Sequence, residues 1–224
     1  MGWIIALGIV MVFEWVAAGK SWIRVRRISK PLSLIILIAM FIALGGWRQP
    51  GYLFLGGLVF SLLGDIFLLM NKKFFIAGLL SFLIAHIFYI AGLVYGKLSP
   101  GWEMLIPIII IVLISVTVYP RIVRGVRSRL EHRHLWLPVV FYMITITIML
   151  LMAMFTWFRA PWVYPSTLLV SIGALLFTIS DTLLATGRFL RPLPYGDFLV
   201  MFTYHLGQIG ISFGALSMMG LLTL

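Results

Sequence analysis

The stretch YLFLGGLVFSLLGDIFLLM, residues 52–70, places the carboxylate Asp65 among side chains that are almost all apolar or small. A second stretch, FTISDTLLAT at 177–186, does the same with Asp181. The first has the length of about 20 residues that a helix needs to cross a membrane. The chain holds only six acidic residues, so the presence of two of them inside apolar segments requires an explanation.

The composition of the whole chain resembles that of these stretches. Of 224 residues, 62% are hydrophobic and 10% are charged, and the mean hydropathy is +1.13. No water-soluble domain of this size could cover so much apolar surface, so we predict an all-α polytopic membrane bundle. The connections are short, and residues 1–224 are therefore expected to form a single integral membrane domain. Eight transmembrane helices are predicted near 3–19, 31–47, 52–70, 74–95, 102–120, 135–158, 166–187 and 198–219.

The positive charges follow a regular pattern along the chain. The connections after predicted helices 1, 3, 5 and 7 carry 14 of the 17 Lys and Arg residues, and the alternate connections carry only Arg48, Lys97 and Arg159. Cytoplasmic connections of membrane proteins are enriched in Lys and Arg. We therefore expect both termini to face away from the cytoplasm, in the inner membrane of a bacterial cell. The same pattern explains the net charge of +11 without a nucleic-acid partner.

Five ionisable residues fall at membrane depth, well inside the predicted helices: Glu14, Asp65, His86, Asp181 and His205. A charged group in the bilayer costs about 2.5–3.5 kcal/mol on insertion scales, so it normally faces the bundle interior and marks function. At ~1.5 Å of rise per residue, all five lie within roughly 8–18 Å of the cytoplasmic interface. We therefore predict that Asp65, His86, Asp181 and His205 share one cleft that opens to the cytoplasmic leaflet.

Helical spacing assigns further residues to this site. Ser61 lies four residues before Asp65, and Tyr89 follows His86 by three, so each pair shares a helix face. Helix 8 carries an inward-facing polar stripe, and Glu14 is expected to pair with Lys20 or with a basic residue of another helix. Lys30, just before Pro31 at the predicted start of helix 2, is placed at the headgroup level as a candidate ligand of a lipid phosphate. The residues of the stripe on helix 8 are Met201, His205, Gln208 and Ser212, with Tyr204 beside Gln208.

Two motifs suggest an internal repeat. Helix 3 contains S-x-x-G-D-x-x-L and helix 7 contains T-x-S-D-x-L-L, and each is followed by a helix that carries a histidine. Asp65 and Asp181 are 116 residues apart, close to half the chain. A parallel repeat of four plus four helices would place the two aspartates at equivalent levels; a chance match of such short motifs is the alternative.

Other chemistries lack their signatures. The chain has no cysteine, which excludes disulfides and thiolate catalysis. It also has no Gly-x-Ser-x-Gly elbow, no His-Glu-x-x-His helix and no glycine-rich phosphate loop. Only two histidines lie within predicted spans, so the residues support neither a metal site nor a cofactor.

The combination of motifs resembles the YhhN-like lysoplasmalogenase family of membrane enzymes. The family pattern G-D-x-x-L occurs at Gly64-Asp65, and F-x-x-G-L-x-x-F-x-x-A-H-x-x-Y runs from Phe75 to Tyr89. The later S-D-x-x-L-A is found at 180–185, and SKPL at 29–32 fits the family's entry to its second helix. The resemblance spans residues ~29–208.

The resemblance implies hydrolysis of the vinyl ether bond of lysoplasmalogens to a fatty aldehyde and a glycerophospho-headgroup. Such a bond is cleaved by protonation of its β-carbon, which forms an oxocarbenium ion that water captures. Glycosidases stabilise a related ion with two carboxylates, so Asp65 as acid and Asp181 as base are the expected pair. His86 and His205 would orient them, and the groups around them would be second-shell or substrate-binding: Glu14, Lys30, Ser61, Tyr89, Tyr204 and Gln208.

The alternative function is a proton-coupled transporter or a lipid-binding membrane protein, in which the same buried acids form a proton relay. In either case the partners are the bilayer and a lipid, a lysophospholipid in the enzyme. The headgroup, the chain length and the oligomeric state do not follow from the sequence.

Overall fold

The computed structural model describes residues 2–128 and 133–222, apart from the side chain of Lys72, so Arg129 of the basic connection after helix 5 lies outside the described residues. The described chain is an all-α bundle, as predicted. Its eight long helices are α1 (Gly2–Gly19), α2 (Ile23–Ala43), α3 (Gly51–Leu69), α4 (Phe75–Leu93), α5 (Leu105–Ser128), α6 (Trp136–Phe155), α7 (Ser166–Ala185) and α8 (Gly196–Met218).

Short elements join these helices. Single 3₁₀ turns at Lys72–Phe74, Trp102–Met104, Arg133–Leu135 and Thr156–Phe158 precede or follow the long helices, and α7 continues into a π-helical turn, Thr186–Leu190. Two short antiparallel strands, β1 (Lys97–Leu98) and β2 (Arg159–Ala160), pair at one end of the bundle with Lys97 opposite Ala160. We call the opposite end, where α1, α3, α5 and α7 finish, the basic end.

Within the described part of the chain, seven of the eight helices are long and apolar enough to cross a membrane; α2 is the exception. The first eight residues of α2 include Arg24, Arg26, Arg27 and Lys30. The prediction that this helix begins at Pro31 was wrong, because α2 starts at Ile23 and Pro31 lies inside it. As a result Lys30 is a helical residue that turns into the bundle, where only 7% of its surface is exposed.

Helix α8 is the centre of the bundle and α5 is its most exposed member. The two most extensive helix contacts are α7–α8 and α3–α4, which are the equivalent pairs of the two predicted halves; the repeat itself stays a prediction. Close packing of α7 on α8 depends on glycine. A Cβ on Gly173 would lie 2.5 Å from the backbone nitrogen of Ile211, and one on Gly210 would lie 2.7 Å from the Cα of Gly173. Small residues let membrane helices approach in this way.

The polar stripe of α8 faces inward, as its spacing predicted. Met201, His205, Gln208 and Ser212 are each at most 1% exposed. On α3, Ser61 and Asp65 are buried to the same degree. Side chains from α1, α2 and α4 reach these residues, so the candidate site lies in the interior of the bundle.

Candidate active site

Asp181 belongs to a hydrogen-bonded chain of three side chains from three helices. Tyr142 on α6 donates its hydroxyl to Asp181 Oδ2, and His86 Nε2 on α4 lies 3.0 Å from the Tyr142 hydroxyl and 3.4 Å from the same carboxylate oxygen. Because Tyr142 gives its proton to Asp181, its oxygen accepts from His86, which requires the imidazole proton on Nε2. His86 and Tyr142 are buried, while Asp181 keeps 14% of its side chain exposed.

The exposed part of Asp181 lies in the wall of an apolar cleft of about 60 Å³ between α4, α5, α6 and α7. Room of this size holds a few water molecules. Among the described residues that line it, Asp181 is the carboxylate and Arg188, on the π-helical turn, is the basic side chain. The remaining wall is formed mainly by apolar side chains, including Leu79, Phe82, Ile122, Val139, Met143 and Phe189.

Asp65 lies in a different environment. Lys30 Nζ on α2 is 2.9 Å from its Oδ1, and Tyr204 on α8 donates its hydroxyl to Oδ2 at 2.9 Å. Asp65 Oδ1 thus faces the ammonium group of Lys30, Oδ2 accepts from Tyr204, and Asp65 is 1% exposed. Lys30 and Asp65 thus form a buried ion pair between α2 and α3. The prediction that Lys30 sits among lipid headgroups was therefore wrong.

Two further predicted residues, Tyr89 and Gln208, pair with each other. Tyr89 donates its hydroxyl to Gln208 Oε1 at 2.6 Å, close to the buried Ser61. This pair is not bonded to either aspartate in the described residues.

His205 is fixed by Trp15 on α1, whose indole nitrogen lies 3.0 Å from His205 Nδ1. Tryptophan is only a donor, so Nδ1 is unprotonated and a neutral His205 carries its proton on Nε2. His205 Nδ1 is thus already accepting a hydrogen bond and cannot act as a base from that atom.

Glu14 forms a third network at the basic end. Arg26 on α2 lies 3.1 Å from Glu14, and Ser29 donates its hydroxyl to the same carboxylate. Arg26 also contacts Asp197 at the start of α8, at 2.5 Å. Of the two expected partners of Glu14, the structure has the basic residue of another helix and not Lys20.

An aromatic layer separates the two aspartate networks. The ring of Phe177 lies 4.9 Å from the His86 ring on one side and 5.3 Å from the Tyr204 ring on the other, and Phe82 packs 5.9 Å from Tyr204. Of the four residues predicted to share one cleft, only Asp181 lines it. That part of the prediction was wrong, since similar depth in the membrane does not bring side chains to the same side of a packed ring.

Sequence reasoning also missed Tyr142, the residue that contacts both His86 and Asp181. Its signal was present, because Tyr142, Ile146 and Met149 recur at the spacing of one helix face and are all buried. The described residues contain no group of three or more His, Asp or Glu side chains arranged to hold a metal ion.

Comparison with known proteins gives one family. The model of the YhhN family matches residues 25–215. The chain is 28% identical to lysoplasmalogenase TMEM86B of Mus musculus over 210 residues, which cover 93% of this chain and 83% of the relative. It is 30% identical to lysoplasmalogenase TMEM86B of Homo sapiens, covering 77% and 66%, and 32% identical to human lysoplasmalogenase TMEM86A, covering 71% and 63%. No solved structure matches the chain.

Proposed function

The chain belongs to the YhhN family, and from that premise we propose that it is a membrane hydrolase that cleaves the vinyl ether bond of lysoplasmalogens. The products are a fatty aldehyde and a glycerophospho-headgroup. The names of its relatives support the substrate class. The observation that carries the proposal is a carboxyl group, Asp181, in the wall of an apolar cleft between membrane helices.

Asp181 is suited to deliver a proton to the β-carbon of the vinyl ether. Its Oδ2 accepts the Tyr142 hydroxyl, and its Oδ1 makes no hydrogen bond among the described residues, so a proton on Oδ1 is available to a substrate in the cleft. Transfer of this proton to the β-carbon forms the C–H bond and leaves an oxocarbenium ion beside the new carboxylate. The negative charge of Asp181 then stabilises the cation, as in glycosidases.

The same carboxylate completes the reaction. Water attacks the oxocarbenium carbon while Asp181 takes a proton from it, which gives a hemiacetal and restores the acid. Collapse of the hemiacetal moves its hydroxyl proton to the glycerol oxygen and releases the aldehyde. One water is consumed, and the enzyme returns to its starting state.

Tyr142 and His86 act as positioning residues in this scheme. The Tyr142 hydroxyl binds Asp181 Oδ2 whether the group is acid or carboxylate, and the bond strengthens when the negative charge develops. His86, bonded to the Tyr142 oxygen at 3.0 Å, holds that hydroxyl in the donating orientation. Such a preorganised donor stabilises charge that appears only during the reaction.

Asp65 has a different role in the proposal. Its pairing with Lys30 at 2.9 Å and its place behind Phe82 and Phe177 favour a structural ion pair that does not touch the substrate. The contacts thus favour Asp181 as the acid, opposite to the assignment made from the sequence. Asp65 instead fixes the positions of Lys30 and Tyr204. The Tyr204 ring packs against Phe82, so Asp65 indirectly stabilises the aromatic wall of the cleft.

We also infer that the basic end faces the cytoplasm of a bacterial cell and that both termini lie outside. The support is the strong excess of Lys and Arg in the connections at that end, since cytoplasmic connections are enriched in these residues. Reporter enzymes fused to either terminus, one active only outside and one only inside, measure this. Activity of the internal reporter at both termini would reverse the orientation.

The decisive test of function is aldehyde release by the purified protein. We expect turnover of a 1-alkenyl lysophospholipid but not of its saturated 1-alkyl analogue, which has no double bond to protonate. In D₂O, with immediate reduction of the aldehyde, the product should carry one deuterium on the carbon next to the former carbonyl. A transporter would release no aldehyde from either lipid, and cleavage without deuterium at that carbon would refute β-carbon protonation.

A further inference from the structure

A second apolar recess adjoins the cleft on the side that faces the membrane. It lies between α5 and α7, with α6 at its base, and its apolar lining includes Ile111, Ile114, Leu150, Leu175, Ile179 and Leu183. We call it the chain recess. Ile114, Leu175 and Ile179 are 55%, 42% and 38% exposed on the outer surface of the bundle, so the chain recess opens sideways to lipid and not only to one end.

The threonine hydroxyls of the chain recess are already bonded. Thr178 and Thr182 donate their hydroxyls to the carbonyls of Ala174 and Thr178, one turn earlier on α7. Thr147 does the same to Met143, and its hydroxyl also bonds that of Tyr119. These side chains therefore present mainly carbon to the recess, which suits an apolar occupant and offers no specific partner to a polar one.

The chain recess and the Asp181 cleft are continuous. Tyr119, Thr178 and Thr182 line both. Asp181 precedes Thr182 directly and stands about one turn beyond Thr178. Further toward the basic end, the cleft is bounded by Arg188, whose guanidinium lies 3.7 Å from the centre of the Phe75 ring. Along α7 the order is therefore the far end of the recess at Leu175, the carboxyl group of Asp181 and the basic side chain of Arg188.

This order matches the chemical order of one class of molecule. A lysolipid with an alkenyl chain has a hydrocarbon tail, then the vinyl ether, then a glycerophosphate. We propose that the chain recess takes the hydrocarbon tail of the substrate directly from the membrane, between α5 and α7, with the phosphate toward Arg188 and the vinyl ether at Asp181. This inference rests on the proposed function and adds the route and the orientation of the substrate.

The first test shortens the chain recess. Leu175→Trp adds a large ring at the end of the recess farthest from Asp181, whereas Ile172→Trp adds the same ring one turn earlier on α7, at a lipid-exposed position that does not line the recess. For a long-chain alkenyl lysolipid, Leu175→Trp should raise KM at least tenfold. It should leave a short-chain substrate unchanged, and Ile172→Trp should change neither. An equal effect of Leu175→Trp on both chain lengths, or none on either, overturns the proposal.

A second variant controls for an effect of misfolding. Ile114→Trp enters the same space from α5 and should show the same selective effect on long chains. Retained short-chain turnover demonstrates that each variant is folded. Loss of short-chain turnover in both recess variants but not in Ile172→Trp would mean that the recess is structural, which also contradicts the proposal.

The second test does not depend on catalysis. A 1-alkyl lysolipid, which cannot be cleaved, carries a diazirine near the end of its chain and is photolysed with the wild-type protein in bilayers. Labels are expected in 111–119 and 175–183, and an unlabelled alkyl lysolipid should compete while a diacyl phospholipid should not. Labels elsewhere, or labels removed equally by the diacyl lipid, identify ordinary boundary lipid and refute the proposal. If labelling succeeds while the wild-type protein releases no aldehyde, the binding site stands and the proposed hydrolase fails.

Discussion

The networks around Asp181 and Asp65 contain the same ionisable group in opposite surroundings. Asp181 accepts from a neutral tyrosine and borders a cleft, whereas Asp65 is paired with Lys30 and is enclosed on all sides. A neighbouring ammonium group favours the charged form of a carboxyl group, whereas burial without a cationic partner favours its neutral form. The neighbours of each carboxylate, and not its depth in the bilayer, thus decide what it can do. Substitutions in the two networks should therefore separate a catalytic from a structural aspartate.

The largest expected effect belongs to Asp181→Asn. The amide keeps the shape and the bond from Tyr142 but has no acidic proton and cannot become a carboxylate. General acid–base groups contribute about 10²–10⁴-fold, so kcat for aldehyde release should fall by at least that factor with little change in KM. Binding of an uncleavable alkyl lysolipid, measured alongside, should be unchanged; weaker binding would reassign Asp181 to substrate recognition.

Asp65→Asn should act mainly on stability. It leaves Lys30 as an uncompensated buried charge, and breaking a buried pair in this way costs about 3–5 kcal/mol. The thermal unfolding midpoint in detergent should drop strongly, and the companion change Lys30→Met should restore much of it. An Asp65→Asn protein as stable as wild type would show that the ion pair between Lys30 and Asp65 makes no net contribution to stability.

Tyr142→Phe should have an intermediate effect on turnover. It removes the donor to Asp181 Oδ2, and hydrogen bonds to charged groups are worth about 1.5–3 kcal/mol, which corresponds to a fall in kcat of roughly 10- to 150-fold. KM should stay near its wild-type value, because the hydroxyl acts on the carboxyl group and not on the lipid. A change in KM alone would contradict a positioning role.

Tyr89→Phe provides the matched control and the smallest effect. Tyr89 is buried like Tyr142, but its hydroxyl donates to Gln208 Oε1 at 2.6 Å. Leaving a buried acceptor without its donor costs about 1–3 kcal/mol of stability, while kcat of the folded protein should remain within about twofold. A loss of turnover similar to that of Tyr142→Phe would return Tyr89 and Gln208 to the catalytic site, where the sequence had placed them.

Much of the fold was predictable, because burial in a membrane protein follows composition and helical spacing. The inward stripe of α8 and the shared face of Ser61 and Asp65 both follow from these periodicities. Contacts between helices do not follow from the composition or the spacing of one helix. Lys30 was misplaced because proline is common at a helix start but is also tolerated inside, and that single error hid the partner of Asp65. Rotation of each helix about its own axis, which places Phe177 between the aspartate networks, depends on packing that no single helix encodes.

The most direct test of the account compares Lys30→Met/Asp65→Asn with Asp181→Asn in one aldehyde-release assay. The double variant removes the buried ion pair together, so no uncompensated charge remains and the protein should fold. We predict that its kcat stays within about tenfold of wild type, while Asp181→Asn loses at least about 100-fold. A stable double variant that is as inactive as Asp181→Asn would show that Asp65 takes part in proton transfer, and would contradict the division between a catalytic and a structural aspartate.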